Sequence, residues 1–234
     1  CMWLLLLLSI CQACTEKDSP RITFIMNNDW AFFRGETENG QEVGLDDSQW
    51  IPATVPHIMQ LEKKHCGGNV IYDGIGWYRR YFKLTKSYEG KRIAISFEGV
   101  MNACELFVNG HKVSEHKGGY IGFTSDISDY IDWGNNNLLA LRVSAEYDSL
   151  TPPGKPQDRL DFYYCSGIYR DVKMVVSDKL HISDELEANQ VAGGGLFISY
   201  PKVDKEEASV AIRTHLENKH EASRNGVVQC LLKN

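Results

Sequence analysis

The sequence predicts an all-β protein built as an antiparallel two-sheet sandwich, and three observations carry that expectation. Apolar residues recur with a period of two, turn residues interrupt these runs at short spacing, and no stretch carries an amphipathic helix of about ten residues or more. The third observation removes parallel βαβ units, which need a crossover helix between neighbouring strands.

Taken in order, the alternating sets are Tyr78/Arg80/Phe82/Leu84, Ile93/Ile95/Phe97, Cys104/Leu106/Val108 and Leu139/Leu141/Val143. Each places one side chain in two on a buried face, as a half-buried strand requires. The turns between them are Tyr88-Glu89-Gly90-Lys91, Asn109-Gly110, Gly118-Gly119 and Gly134-Asn135-Asn136-Asn137. Asn109-Gly110 is the sharpest, because a two-residue type I′ hairpin needs positive φ at both positions. Cys104 shares its face with Leu106 and Val108 and reads as a small core hydrophobe. On the strand carrying Trp77, Tyr78, Tyr81 and Phe82 both faces bear aromatics. Tyr78 and Phe82 are expected in the core, leaving the other face for a neighbouring domain.

A boundary is expected near Ser177-Asp178, where Val172–Val176 closes the first strand set. Four further runs follow: Leu180–Ile182, Gly195–Tyr200, Ser209–Thr214 and Gly226–Leu232. They are too few for an immunoglobulin-like sandwich, which takes about 7 strands over about 100 residues. The expected organisation is therefore a signal segment and tether (1–20), a complete sandwich (21–177) and an incomplete immunoglobulin-like sandwich (178–234), in a chain that reads as part of a longer protein.

The 31 acidic and 25 basic residues leave a net charge of −6, which argues against a nucleic-acid partner. With 43% hydrophobic and 24% charged residues the chain falls in the globular range, so disorder is excluded for the whole. Met2–Ile10 is apolar but far shorter than the roughly 20 residues of a membrane-spanning helix, and it reads as the apolar region of an export signal. Gln12-Ala13-Cys14 followed by the polar Thr15–Pro20 fits a bacterial lipoprotein signal, with acylation at Cys14, membrane anchoring through that lipid, and export to the periplasm or outer membrane. Three of the seven cysteines lie in or beside this segment, and the other four are scattered, which is not a disulfide framework.

From about Trp50 to Val176 the motifs resemble the N-terminal sugar-binding jelly roll of glycoside hydrolase family 2, the family of bacterial β-galactosidases, β-glucuronidases and β-mannosidases. In order they are Trp50–His57, Gly76–Phe82, Phe97–Val100, Val108-Asn109-Gly110, Gly118–Phe123 and Ser166–Val172. The region after 178 is similar to the family's following immunoglobulin-like domain. The resemblance implies a retaining β-galactosidase-like parent whose two catalytic carboxylates lie on a (β/α)₈ barrel, so none of the catalytic residues falls in this sequence and the fragment is expected inactive alone. The barrel of the same parent chain and a β-galactoside-like carbohydrate are the implied partners.

Asp161, in Leu160–Tyr164, stands where an Asp of the family's β-galactosidases reaches from the jelly roll to the galactose and, in some members, to a monovalent cation. A carboxylate among aromatics offers acceptors for hydroxyls beside faces for the apolar side of a hexose. Asp73 falls where the family places an Asn or acidic substrate contact. Apart from that cation no cofactor is implied. Arg79, Arg80 and Arg170 are read as structural partners of Asp171 or Glu98. The seven histidines show no metal-ligand spacing. The alternative is a non-catalytic carbohydrate-binding or scaffolding lipoprotein.

Overall fold

The computed structural model describes residues 21–60, 72–162, 164–191 and 193–231. The segment 1–20 expected to be a signal, with Cys14, and His65-Cys66 lie outside the described residues. The first twelve strands are β1 (Ile22–Ile25), β2 (Trp30–Arg34), β3 (Ile51–Ala53), β4 (Ile75–Lys83), β5 (Arg92–Phe97), β6 (Val100–Met101), β7 (Ala103–Val108), β8 (His111–Lys117), β9 (Phe123–Asp126), β10 (Asn136–Ser144), β11 (Gly167–Ile168) and β12 (Val172–Ser177).

They form a four-stranded sheet in the order β1-β12-β5-β9 and a six-stranded sheet in the order β3-β2-β4-β10-β7-β8, with β6 and β11 pairing separately. Every pairing within these sheets is antiparallel. This is the antiparallel two-sheet sandwich the alternation predicts, and the jelly roll the resemblance implies. The core lies between the two sheets and contains Tyr78, Phe82, Ile93, Ile95, Phe97, Cys104, Leu106, Val108, Leu139, Leu141 and Val143. Burying each large aliphatic side chain stabilises the fold by about 1.5–3 kcal/mol. Burial also pushes the Cys104 thiol pKa far up, so it packs as a neutral hydrophobe.

The Asn109-Gly110 turn has φ values of 50° and 85° and joins β7 to β8, with Val108 opposite His111. Its asparagine does more than turn the chain. Asn109 Nδ2 donates to Asn137 Oδ1 at 2.7 Å and to the Tyr130 carbonyl at 2.8 Å, while Oδ1 accepts from the Leu138 amide at 2.8 Å.

The other face of the six-stranded sheet departs from expectation. Ile75, Trp77, Leu138 and Ala140 form a second buried cluster there, with Trp50 and Phe107 packed against it. Trp77 is therefore not free for a neighbouring domain: the loop between β2 and β3 covers it. Glu36 accepts from Trp77 Nε1 at 2.8 Å, and a Cβ on Gly40 would lie 2.6 Å from the Trp77 ring, so the loop passes with no room for a side chain. Tyr81 remains 41% exposed.

Beyond Ser177 come β13 (Leu180–Ile182), the one-turn helix α1 (Glu185–Ala188), β14 (Leu196–Val203), β15 (Ala208–Thr214) and β16 (Leu216–Asn218). Asp184 caps α1 by accepting from the amides of Leu186 and Glu187. β13 pairs with β16, and β14 with β15. The strand expected at Gly226–Leu232 is not formed over 226–231, where the chain is irregular and exposed. The three-residue β16 takes the place beside β13 instead. No helix among the described residues is long and apolar enough to cross a membrane.

Candidate functional site

Three separate segments meet at one rim of the sandwich. The stretch before β4 brings Tyr72 and Asp73, the chain leaving β10 brings Ala145 and Tyr147, and the loop before β11 brings Pro156, Gln157, Asp158, Tyr164 and Ser166. Together they line a cavity of about 280 Å³. That is just below the usual range for ligand pockets, about 300–1,000 Å³, and suits one small ring.

Its polar and aromatic groups are held in place locally. Tyr72 Oη donates to the Ile75 carbonyl at 2.6 Å, and the Arg34 guanidinium lies 5.5 Å from its ring centre. Burial raises the Tyr72 pKa. Burial also raises the Tyr164 pKa, partly opposed by a hydrogen bond from the Asn102 side chain. Both phenols are thus kept protonated and able to donate. Ser166 is pinned through its carbonyl, which accepts from the Met59 amide at 2.8 Å. Two carboxylates, Asp73 and Asp158, face this space, and among the described residues no cationic side chain lines it. The arrangement offers acceptors for hydroxyls and tyrosine faces for a ring's apolar side.

Of the residues singled out in the sequence, Asp73 lies in the cavity wall and is exposed. Asp161 is exposed on the same loop as Asp158, but three residues further along and outside the lining. Asp158, Tyr147 and Tyr164 were missed as a group; only the fold brings their segments together. Among the described residues no cluster of three or more His, Cys, Asp or Glu could hold a metal ion.

The arginines are structural, but with partners other than those expected. Arg79 is buried and its Nε lies 2.8 Å from Asp47. Arg80 Nε donates to the Asn28 carbonyl at 2.7 Å, and the Arg170 guanidinium lies 5.7 Å from the Tyr169 ring centre. Asp171 instead accepts from Asn27 Nδ2 at 2.9 Å, and Glu98 pairs with Lys173.

The order of the two sheets defines an all-β jelly-roll module with a small cavity at its rim. Residues 65–177 match the family described as glycosyl hydrolases family 2, sugar binding domain, and this part of the chain is such a domain. The chain is 35% identical to a β-galactosidase of Thermoanaerobacter pseudethanolicus over 160 residues, 68% of this chain and 21% of that protein. It is 31% identical to a β-galactosidase of Bacteroides ovatus over 226 residues, 92% of this chain and 24% of that one. Among solved structures, a Bacteroides uniformis β-glucuronidase covalently bound to cyclophellitol-6-carboxylate aziridine superposes with a TM-score of 0.75 at 28% identity, over 86% of this chain and 23% of that one. The chain thus spans between a fifth and a quarter of the length of these relatives.

Proposed function

We propose that this chain is the N-terminal accessory portion of a family 2 β-glycosidase, and that its jelly roll helps to shape the sugar site while the chemistry is performed on a catalytic barrel of the same parent protein. The relatives named β-galactosidase and β-glucuronidase support the glycosidase reading equally. One observation supports a choice between their substrates: among the described residues the cavity is lined by the carboxylates Asp73 and Asp158 and by no cationic side chain. A glucuronide would bring its own carboxylate against two others, whereas a neutral galactoside offers hydroxyl donors that carboxylates accept strongly. The substrate class is therefore a neutral β-galactoside.

The test is turnover of aryl β-galactoside against aryl β-glucuronide by the protein expressed from its full reading frame. Preference for the galactoside is expected, and preference for the glucuronide overturns the neutral-sugar reading. Sugar binding with no turnover of either would favour the non-catalytic carbohydrate-binding alternative. Residues 21–231 alone are expected to hydrolyse neither, because the family's acid and nucleophile lie on the barrel.

The region after 178 is read as the start of an immunoglobulin-like domain, supported by its two antiparallel strand pairs. Export with a lipid at Cys14 is supported by the apolar Met2–Ile10 run and the polar tether after it. Labelling with a fatty-acid analogue, lost in Cys14→Ser and retained in Cys11→Ser, tests it.

A further inference from the structure

Among the described residues none beyond Val176 belongs to either apolar cluster, and past Ser177 the buried ones are His181, Ser183 and Gly195, none of which brings an apolar side chain. The contact between the sandwich and the following unit therefore lacks a shared hydrophobic core. Charge takes its place there. Arg92 of β5, with its side chain only 4% exposed, pairs with Glu187 of α1 and lies 3.4 Å from Asp126 at the end of β9. Lys219, just after β16, reaches the same two carboxylates, at 3.2 Å from Asp126 and 2.9 Å from Glu187. Each cation thus touches each anion. The sandwich contributes one charge of either sign, and so does the unit after 178.

The ring is held from its edges. Ser128 donates to Asp126 from its amide at 3.0 Å and from its hydroxyl at 2.5 Å. Beside it, Asp178 bridges Lys91 at 2.9 Å and His220 at 3.1 Å, and Arg21 donates to the Ile182 carbonyl at 2.7 Å.

We propose that the closed ring of Arg92, Asp126, Glu187 and Lys219 is an electrostatic lock that sets the orientation of the unit after 178 on the jelly roll. Four partly buried charges with alternating sign hold a specific geometry in a way that apolar contact, which is non-directional, does not. A network of this kind loses its geometry when one corner is neutralised, because the two neighbouring charges of opposite sign are then left underpaired.

Distances between spin labels on the full chain test the lock. One label is placed at Gly44→Cys, where a new Cβ meets nothing within 4 Å, and the other at the exposed Glu221→Cys beyond β16; all other cysteines except the buried Cys104 become serine. The otherwise unaltered chain is expected to give one narrow distance. Combining Glu187→Gln with Lys219→Met is expected to abolish that single peak, while the tryptophan fluorescence, to which the buried Trp30 and Trp77 of the sandwich contribute, stays native. A narrow peak that survives the double variant overturns the proposal. Should the double variant unfold, Lys219→Met alone, at the most exposed corner of the ring, decides the same question by the same readout.

Discussion

Arg79 and Asp47 form a 2.8 Å ion pair on the outer side of the six-stranded sheet, and the arginine is entirely covered by the loop that carries the aspartate. Its Nη1 donates to the Gly40 and Glu42 carbonyls at 2.7 and 2.8 Å, its Nη2 to Tyr81 Oη at 2.9 Å, and the Trp50 ring centre lies 5.5 Å away. The guanidinium thus supplies donors to a loop with no strand partner for its backbone. Arg79→Met should lower stability to urea by about 3 kcal/mol or more, because it strands several acceptors and a carboxylate at once. Asp47→Asn, which keeps an acceptor for Nε, should lose less. Equal and negligible losses in both would show that the loop holds itself.

How far the sequence reveals this architecture depends on which side of a strand is asked about. Alternation exposes the inner face of β7 and β10, because Leu106, Val108, Leu139 and Leu141 are separated by residues of another environment. It fails for the outer face, where Leu138 and Ala140 are also buried and the run becomes continuously apolar. The covering loop has no period to read, so the burial of Trp77 and Arg79 is set only by tertiary contact. At the site the same logic holds. Asp73 could be singled out through its place in a motif, but Asp158, Tyr147 and Tyr164 converge from distant segments without any local signature. At the other extreme, Gly226–Leu232 has strand composition and no partner among the described residues, and composition without a partner makes no sheet.

The turn at Asn109 separates two contributions that are usually confounded. Asn109→Gly keeps a residue at ease at φ 50° but removes the three side-chain hydrogen bonds to Asn137, Tyr130 and Leu138. Asn109→Ala loses the bonds and adds backbone strain. Thermal melting should order the proteins as parent, then Gly, then Ala, with a first step of about 1–3 kcal/mol for the unpaired groups and a second of about 1 kcal/mol for the strain. A glycine variant as stable as the parent would leave the asparagine with a conformational role alone.

Acid should weaken the fold well above the carboxylate range. Burial lowers the pKa of His57, whose Nδ1 lies 2.9 Å from the buried Tyr78 hydroxyl, and burial aided by the Arg92 charge lowers that of His181. Both start from an ordinary value of 6.5. With the folded value depressed, the unfolded chain takes up protons first as pH falls. Stability contributed by the neutral rings is therefore full above about pH 6.5 and is lost as pH falls through the depressed folded values. Unfolding free energy measured from pH 8 to pH 5 should decline, and His57→Gln should flatten part of the decline. A pH-independent stability over that interval would contradict the neutral state of both rings.

The sugar-site reading makes its most discriminating prediction through three aspartates in two contexts. In residues 21–231 alone, Asp73 and Asp158 line the cavity whereas Asp161 is exposed outside it. Methyl β-galactoside titrated against this segment by NMR should perturb resonances around Tyr72 and Tyr164. Removing the charge from either lining carboxylate weakens a charge-assisted hydrogen bond worth about 1.5–3 kcal/mol, so Asp73→Asn and Asp158→Asn should each reduce affinity by roughly tenfold or more. Asp161→Asn should leave binding to the isolated segment unchanged. In the proposed full-length glycosidase the expectation for Asp161 reverses. An exposed carboxylate on the loop before β11 is free to reach a barrel docked on that rim, and its hydrogen bonds to the sugar would tighten as charge develops on the ring. There, Asp161→Asn should lower kcat/KM by about two orders of magnitude, near 3 kcal/mol, with an unmoved Tm. Asp171→Asn gives the contrasting pattern, because Asp171 holds Asn27, whose Oδ1 accepts from the Val172 amide at 3.0 Å, so stability should fall while kcat/KM of the folded fraction stays near normal. Normal kcat/KM in Asp161→Asn with an unchanged melting curve would confine sugar contact on this domain to the cavity between Asp73 and Asp158.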